Sequence, residues 1–353
     1  MKLKFVRLAI RQRIIIGAGL AASFLLLLAC TPLPRAALPP LDTFLEQAEA
    51  QIAGQNYDQA VQTLEDAALV HSNDPLALII IGQIYLRQHR WLLAEDAFNR
   101  ALSRDGNNPL ATAGLAEASL QQGKIAVAIS RWRRAAALRP TLPGVYSGLG
   151  RAYLARLEFD AARDAFLRQL EHHSDPDAYW FLATLEAPLD VELANRYLLQ
   201  IPPEAPDEVL ARRDYLLTTL VPFTADSPRA AVGHAVGVAL VQVELWPVAV
   251  HALQIAADAS PDLPQAARAE RLAFLGHALA RGGRAALELF PKARALNPNS
   301  ALPLYFYGLY LREQGALAAA QTQFEQAIAL DPENAALCVE LSGPKAVQGD
   351  FGA

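Results

Sequence analysis

From Leu41 onward, small and large apolar residues recur along the chain in a fixed order, and that order repeats every 34 residues. Taking Leu41, Pro75, Pro109 and Pro143 as first positions gives four contiguous repeats, and three more follow after an interruption. The eighth position holds Ala48, Gly82, Ala116, Gly150, Gly237, Gly276 and Gly308, and the twentieth holds Ala60, Ala94, Ala128, Ala162, Ala249, Ala286 and Ala320. All fourteen are Gly or Ala, which marks two surfaces that must approach closely. Four residues after each alanine stands a large apolar side chain: Leu64, Phe98, Trp132, Phe166, Leu253, Phe290 or Phe324. That is one helical turn further on and on the same face. Three residues later come Ala67, Ala101, Ala135, Gln169, Ala256, Ala293 and Ala327, with Gln169 the one departure. Such spacing predicts helices. Several end in turns where proline blocks continuation, at Arg139-Pro140, Ser260-Pro261, Asn297-Pro298 and Asp331-Pro332.

This arrangement resembles the tetratricopeptide repeat family, whose unit is a pair of antiparallel helices. The resemblance covers most of residues 41–353. It implies an all-α fold, a right-handed α-solenoid of antiparallel helix pairs. One pair cannot bury its apolar face alone, so neighbours stack and share a continuous core. Residues 41–176 read as four repeats and 230–334 as three. Between them, 177–229 reads as a degenerate repeat followed by an extra helix at Asp207 to Leu220, broken by Pro188, Pro202, Pro203 and Pro206; the competing reading is a hinge or insertion with a dedicated contact. Pro291 falls within a second helix and is expected to kink it. Residues 335–353 form an incomplete ninth repeat, with Gly343-Pro344 breaking its first helix. Either the chain is truncated there, or the exposed end meets a partner or a second copy.

Composition agrees with helices. Hydrophobic residues make up 53% and aromatics 8%, a mixture dominated by Ala and Leu and poor in strand formers. The net charge of −5 hides an asymmetry, because Lys2, Lys4, Arg7, Arg11 and Arg13 open the chain without an acid among them. Without those five, 26 basic residues face 36 acidic ones, which makes nucleic acid an unsuitable partner. The basic run leads into Ile14 to Leu28, an apolar stretch of the length of a signal-peptide core and short of the roughly 20 residues of a membrane span. It closes on Leu27-Leu28-Ala29-Cys30, which resembles the bacterial lipobox. That resemblance implies a signal peptide at 1–29 and diacylation of the Cys30 thiol, as by palmitate. The alternative is an uncleaved membrane helix with its basic end in the cytoplasm. Both expectations put the rest of the chain in the cell envelope, outside the cytoplasm. The prolines of TPLPRAALPP, residues 31–40, predict a stiff extended spacer behind the lipid anchor.

Candidate chemistry is sparse. His172 and His173 are adjacent, so they point about 100° apart on a helix and chelate one metal poorly. Cys338 occupies a packing position, and Arg281-Gly282-Gly283-Arg284 lacks the Lys-Ser or Lys-Thr of a phosphate loop. No catalytic constellation stands out, no cofactor is implied, and the chain reads as a non-enzyme. The family resemblance implies instead a groove lined by first helices. Its positions are occupied by Leu76, Ile79, Gln83, Leu86 and Arg87 in the second repeat, and by Leu302, Tyr305, Leu309, Arg312 and Glu313 in the eighth. Glu117, Gln121, Ser147 and Arg151 stand there in the third and fourth. The Lys and Asn pattern that grips a terminal carboxylate in some relatives is missing. A membrane-tethered scaffold binding a protein or peptide partner, assisting assembly of an envelope complex, is the leading expectation. A glycan or small-molecule receptor is the alternative, and an enzyme is less favoured.

Overall fold

The computed structural model describes residues 39–333 apart from 260–262 and 285. The signal segment, Cys30, the spacer up to residue 38, the Ser260-Pro261 turn, Cys338 and the incomplete unit at 335–353 lie outside the described residues. Among the described residues there are seventeen α-helices and no strand, so the chain is all-α. None of these helices is long and apolar enough to cross a membrane.

The described residues fall into two compact units, 39–73 and 74–333. The first holds α1 (Leu41–Ala53) and α2 (Tyr57–Val70), packed as a pair. Ala48, Ala60, Leu64 and Ala67 are buried, and the Thr63 hydroxyl donates to Gln51 Oε1 at 3.0 Å between the two helices.

The second unit begins with three pairs: α3 (Leu76–Arg87) with α4 (Trp91–Arg104), α5 (Pro109–Gln121) with α6 (Ile125–Leu138), and α7 (Val145–Arg156) with α8 (Phe159–His172). Then come α9 (Pro176–Glu186), α10 (Val191–Leu199) and a single helix, α11 (Asp207–Leu220). Three pairs follow: α12 (Arg229–Gln242) with α13 (Trp246–Asp258), α14 (Gln265–Arg281) with α15 (Leu289–Leu296), and α16 (Leu302–Glu313) with α17 (Leu317–Leu330). Within each pair the helices pack together, and second helices hand over to the next first helix, as α4 does to α5 and α13 to α14. First helices also touch one another, α3 with α5, α5 with α7, α12 with α14 and α14 with α16. This is how helix pairs bury a shared core.

Glycine makes the close approach physical. A Cβ added at Gly82 would lie 2.6 Å from the Phe98 ring, and one at Gly114 would lie 2.2 Å from the same ring. Phe98 on α4 is thus wedged between its own first helix and the next one. Gly148 admits Trp132 in the same way. Gln169, the departure from alanine, is buried, and its Oε1 accepts from the backbone N–H groups of Tyr146 and Ser147 at 3.2 and 3.3 Å. It satisfies donors in the first turn of α7 that have no helical partner.

The irregular segment changes the stacking. The second helices of regular pairs, such as α4, α6 and α8, run 14 residues, whereas α10 has nine before Pro202, Pro203 and Pro206. The flank of α9 is covered instead by α11 and by α13. His251 on α13 donates from Nε2 to the Leu185 carbonyl at 3.1 Å, and its ring lies 4.4 Å from that of Phe159. Arg284 Nη2 donates to the Ala155 carbonyl at 3.0 Å. One hydrophobic cluster therefore runs unbroken from Ala113 to Ala278. The expected kink at Pro291 is corrected: α15 starts at Leu289, so the proline sits in the first turn, where its missing N–H costs no helical bond. The helix runs for eight residues.

Candidate functional site

The first-helix residues named from the sequence fall into three places. On α3, Gln83 and Arg87 are exposed, Leu76 and Leu86 are half-buried, and Ile79 is 2% exposed. Ile79 is core, and its place in a groove is corrected on that ground. On α5 and α7, Arg151 grips Glu117 with two hydrogen bonds at 2.8 and 3.3 Å, and Gln121 Nε2 donates to the same carboxylate at 2.9 Å. Glu117 and Arg151 stand at the same repeat position one period apart, so their pairing ties two first helices together. Ser147 is 7% exposed and gives its hydroxyl hydrogen to Asp175 Oδ2 at 2.5 Å. It too is committed within the fold, and its groove placement is corrected.

On α16 the outcome differs. Tyr305, Leu309, Arg312 and Glu313 line one cavity of about 290 Å³ with Val241 and Gln242 from α12, Glu244 and Trp246 from the following turn and helix, and His277 and Arg281 from α14. Leu302 does not line the cavity; it packs, as Tyr305 and Leu309 also do in part, against the small core around Phe290 and Phe306. Arg281 organises the cavity. It pairs with Glu313, reaches Glu244 Oε1 at 3.9 Å, and lies 5.1 Å above the Trp246 ring. His277 stacks on Phe306 at 4.3 Å and meets Trp246 edge-on at 5.6 Å. Burial and the Arg281 charge push its pKa down to about 4, so the imidazole is neutral at pH 7.

The cavity joins aromatic faces, one leucine and charges of both signs. That chemistry grips a side chain with an apolar body and a polar end. Trp246, His277 and Arg281 were missed from the sequence, because Trp246 opens a second helix and Arg281 belonged to a Gly-rich turn. A larger cavity, about 440 Å³, lies elsewhere, between α6, α7 and α8, where Arg133 donates to the Tyr153 hydroxyl from Nε and Nη2 at 3.0 and 2.7 Å. Among the described residues no group of three His, Cys, Asp or Glu side chains is placed to hold a metal. His172 stacks on Tyr146, and His173 contacts the Thr141 carbonyl through Nε2 at 2.8 Å.

Residues 45–109 and 81–144 each match the family model described as tetratricopeptide repeat. Tetratricopeptide repeats are matched over residues 45–144. No curated protein matches it. Solved structures similar to it include a thermophilic TPR protein of Thermus thermophilus, with 19% identity and a TM-score of 0.44 over 51% of this chain and 100% of that one. MamA is similar with 17% identity and a TM-score of 0.37, covering 48% of this chain and 96% of that one. PilF of Pseudomonas aeruginosa shows 13% identity and a TM-score of 0.38, covering 87% of this chain and 97% of its own. The helix-pair pattern continues beyond the matched residues, through α12 to α17.

Proposed function

We propose that this protein is a lipid-anchored scaffold of the bacterial cell envelope, tethered through Cys30 and holding a partner protein on the first helices of its last three pairs. The observation that carries the binding role is the cavity between α12, α14 and α16. It is lined by Trp246, Tyr305, Arg281 and Arg312, the residue types that dominate binding energy at protein interfaces. The sequence around Cys30 supports the anchor. An assembly role in an envelope complex follows from joining the two: a repeat array held at a membrane positions a partner there.

Two experiments test this. Cys30→Ala should release the protein from membranes and remove the lipid from its N-terminal peptide by mass spectrometry; unchanged membrane association with cleavage before residue 30 would defeat the anchor. Leu309→Asp and Arg312→Ala should each weaken capture of the partner from envelope membranes, by about 2 kcal/mol or more. Arg312→Ala should do so at an unchanged melting temperature, and Leu309→Asp with some loss of stability, since Leu309 also packs on the core around Phe306. Full capture by both variants, with loss on Arg87→Ala, would move the site to α3.

A further inference from the structure

We propose that the cleft between α6, α7 and α8 is a second binding site, which takes a small organic monocarboxylate with an apolar body. The cleft measures about 440 Å³, opens to solvent, and shares no residue with the cavity on α16. Alanine makes the space. Ala136 on α6 and Ala165 on α8 line it, whereas the same repeat positions one period earlier hold Leu102 and Arg131. Arg131 reaches from α6 back to α5, donating to the Leu115 carbonyl at 3.3 Å and to the Ser119 hydroxyl. One period later Leu170 stands where Ala136 does. The opening therefore belongs to this pair of repeats and not to the array in general.

Charge and hydrogen bonding select the ligand. Tyr146, Leu149 and Tyr153 of α7 give the cleft apolar surface. The Tyr153 hydroxyl, on a side chain only 7% exposed, accepts from Arg133 Nε and Nη2 at 3.0 and 2.7 Å. Those bonds use one edge of a planar group whose N–H donors point in fixed directions. The other edge, one N–H each from Nη1 and Nη2, has no acceptor among the described residues, and neither has the hydrogen of the Tyr153 hydroxyl. A carboxylate matches a guanidinium edge with its two oxygens, and the tyrosine holds this guanidinium in one orientation beforehand. Arg168 and Asp164 of α8 also line the cleft, and neither has a partner among the described residues. Two cations and one anion leave a single positive charge on the lining. A monoanion neutralises it, whereas Asp164 repels a doubly charged group such as phosphate. A concave site of this size, with apolar walls and a few fixed polar groups, is of the kind that holds small molecules.

The test titrates the full chain at pH 7 with phenylacetate, with its neutral amide phenylacetamide and with phenyl phosphate, followed by NMR of both ligand and protein. Saturable one-to-one binding of phenylacetate is expected, with amide shifts centred on α6, α7 and α8. The neutral amide should bind about ten-fold more weakly, and phenyl phosphate more weakly than the carboxylate. Arg133→Lys keeps the charge and removes the paired edge, so phenylacetate should lose about ten-fold in affinity. Tyr153→Phe keeps the ring and frees the guanidinium, for a loss of about five-fold. Ala136→Leu restores the residue found at this position in the repeats on either side and fills the cleft, so it should abolish binding at an unchanged melting temperature. No saturable binding, equal affinity for phenylacetate and its amide, or shifts centred on α12 to α16 overturns the site. So does undiminished binding in both Arg133→Lys and Ala136→Leu. Tighter binding of phenyl phosphate overturns the choice of a monocarboxylate, and unchanged affinity in Tyr153→Phe overturns the positioning of Arg133 by that hydroxyl.

Discussion

At the scale of single residues, Phe98 shows what holds a repeat together. Its side chain is fully buried, and the two glycines on either side of it stand where any Cβ would collide with the ring. Gly82→Ala should therefore overpack the α3–α4 contact and cost about 1–3 kcal/mol, read as a lowered melting temperature. Phe98→Ala leaves a void in the same place and should cost about 3–5 kcal/mol. Full stability in Gly82→Ala would mean that the two helices separate freely. These positions were legible in the sequence, because small residues and aromatic plugs recur at fixed spacing. The groove was less legible. Spacing places Ile79, Ser147 and Tyr305 on first-helix faces alike, yet it carries no record of what the next first helix covers. Ile79 and Ser147 are covered, whereas Tyr305 lines a cavity.

At the scale of an element, the turn between paired helices follows one rule. In seven of the eight pairs the chain passes through a single left-handed residue: Gln55, His89, Gly123, Leu157, Glu244, Gly283 or Gly315, with φ between 58° and 76°. Left-handed backbone costs an L-residue roughly 1–2 kcal/mol, and glycine almost nothing. Gly123 has open space where a Cβ would go, so Gly123→Ala isolates this strain and should lower stability by about 1 kcal/mol. Gln55 is exposed, and Gln55→Gly should gain up to about 1 kcal/mol in the α1–α2 pair by hydrogen exchange. If neither change has an effect, the turn does not constrain the pair. Prolines made the interruption near 177–229 legible as well. What they did not reveal is where the uncovered flank of α9 finds its partner, since that contact joins residues 66 apart in sequence, His251 and Leu185.

For the molecule as a whole, or at least its residues 74–333, that contact departs from the behaviour of a plain array, in which each pair answers only to its neighbours. His251 sits where α13 meets α9, next to Phe159, with the Arg163 guanidinium and the Asp160 carboxylate in its field. Burial pushes its pKa from 6.5 down to about 4. The sign follows from linkage: above pH 6.5 neither folded nor unfolded chain is protonated there, and the group contributes nothing. Between pH 6.5 and 4 the unfolded chain takes up a proton that the folded chain refuses, so stability falls as pH falls. The slope approaches about 1.4 kcal/mol per pH unit for each such histidine. His277, also pushed down to about 4, adds to the slope in the same window. Glu95, held below its ordinary value first by the Gln122 hydrogen bond and then by Lys124 and Arg131, acts only lower, because its contribution is lost below about pH 4.5. Acid should thus loosen α13 from α9 before it disturbs the α4–α5 region that Glu95 braces. His251→Gln keeps a donor for the Leu185 carbonyl and removes the titration. Its melting temperature should match the parent at pH 7 and exceed it at pH 5, with amide exchange in α13 slowed at the lower pH. A parallel decline of both proteins from pH 7 to 5 would show that His251 does not control the contact.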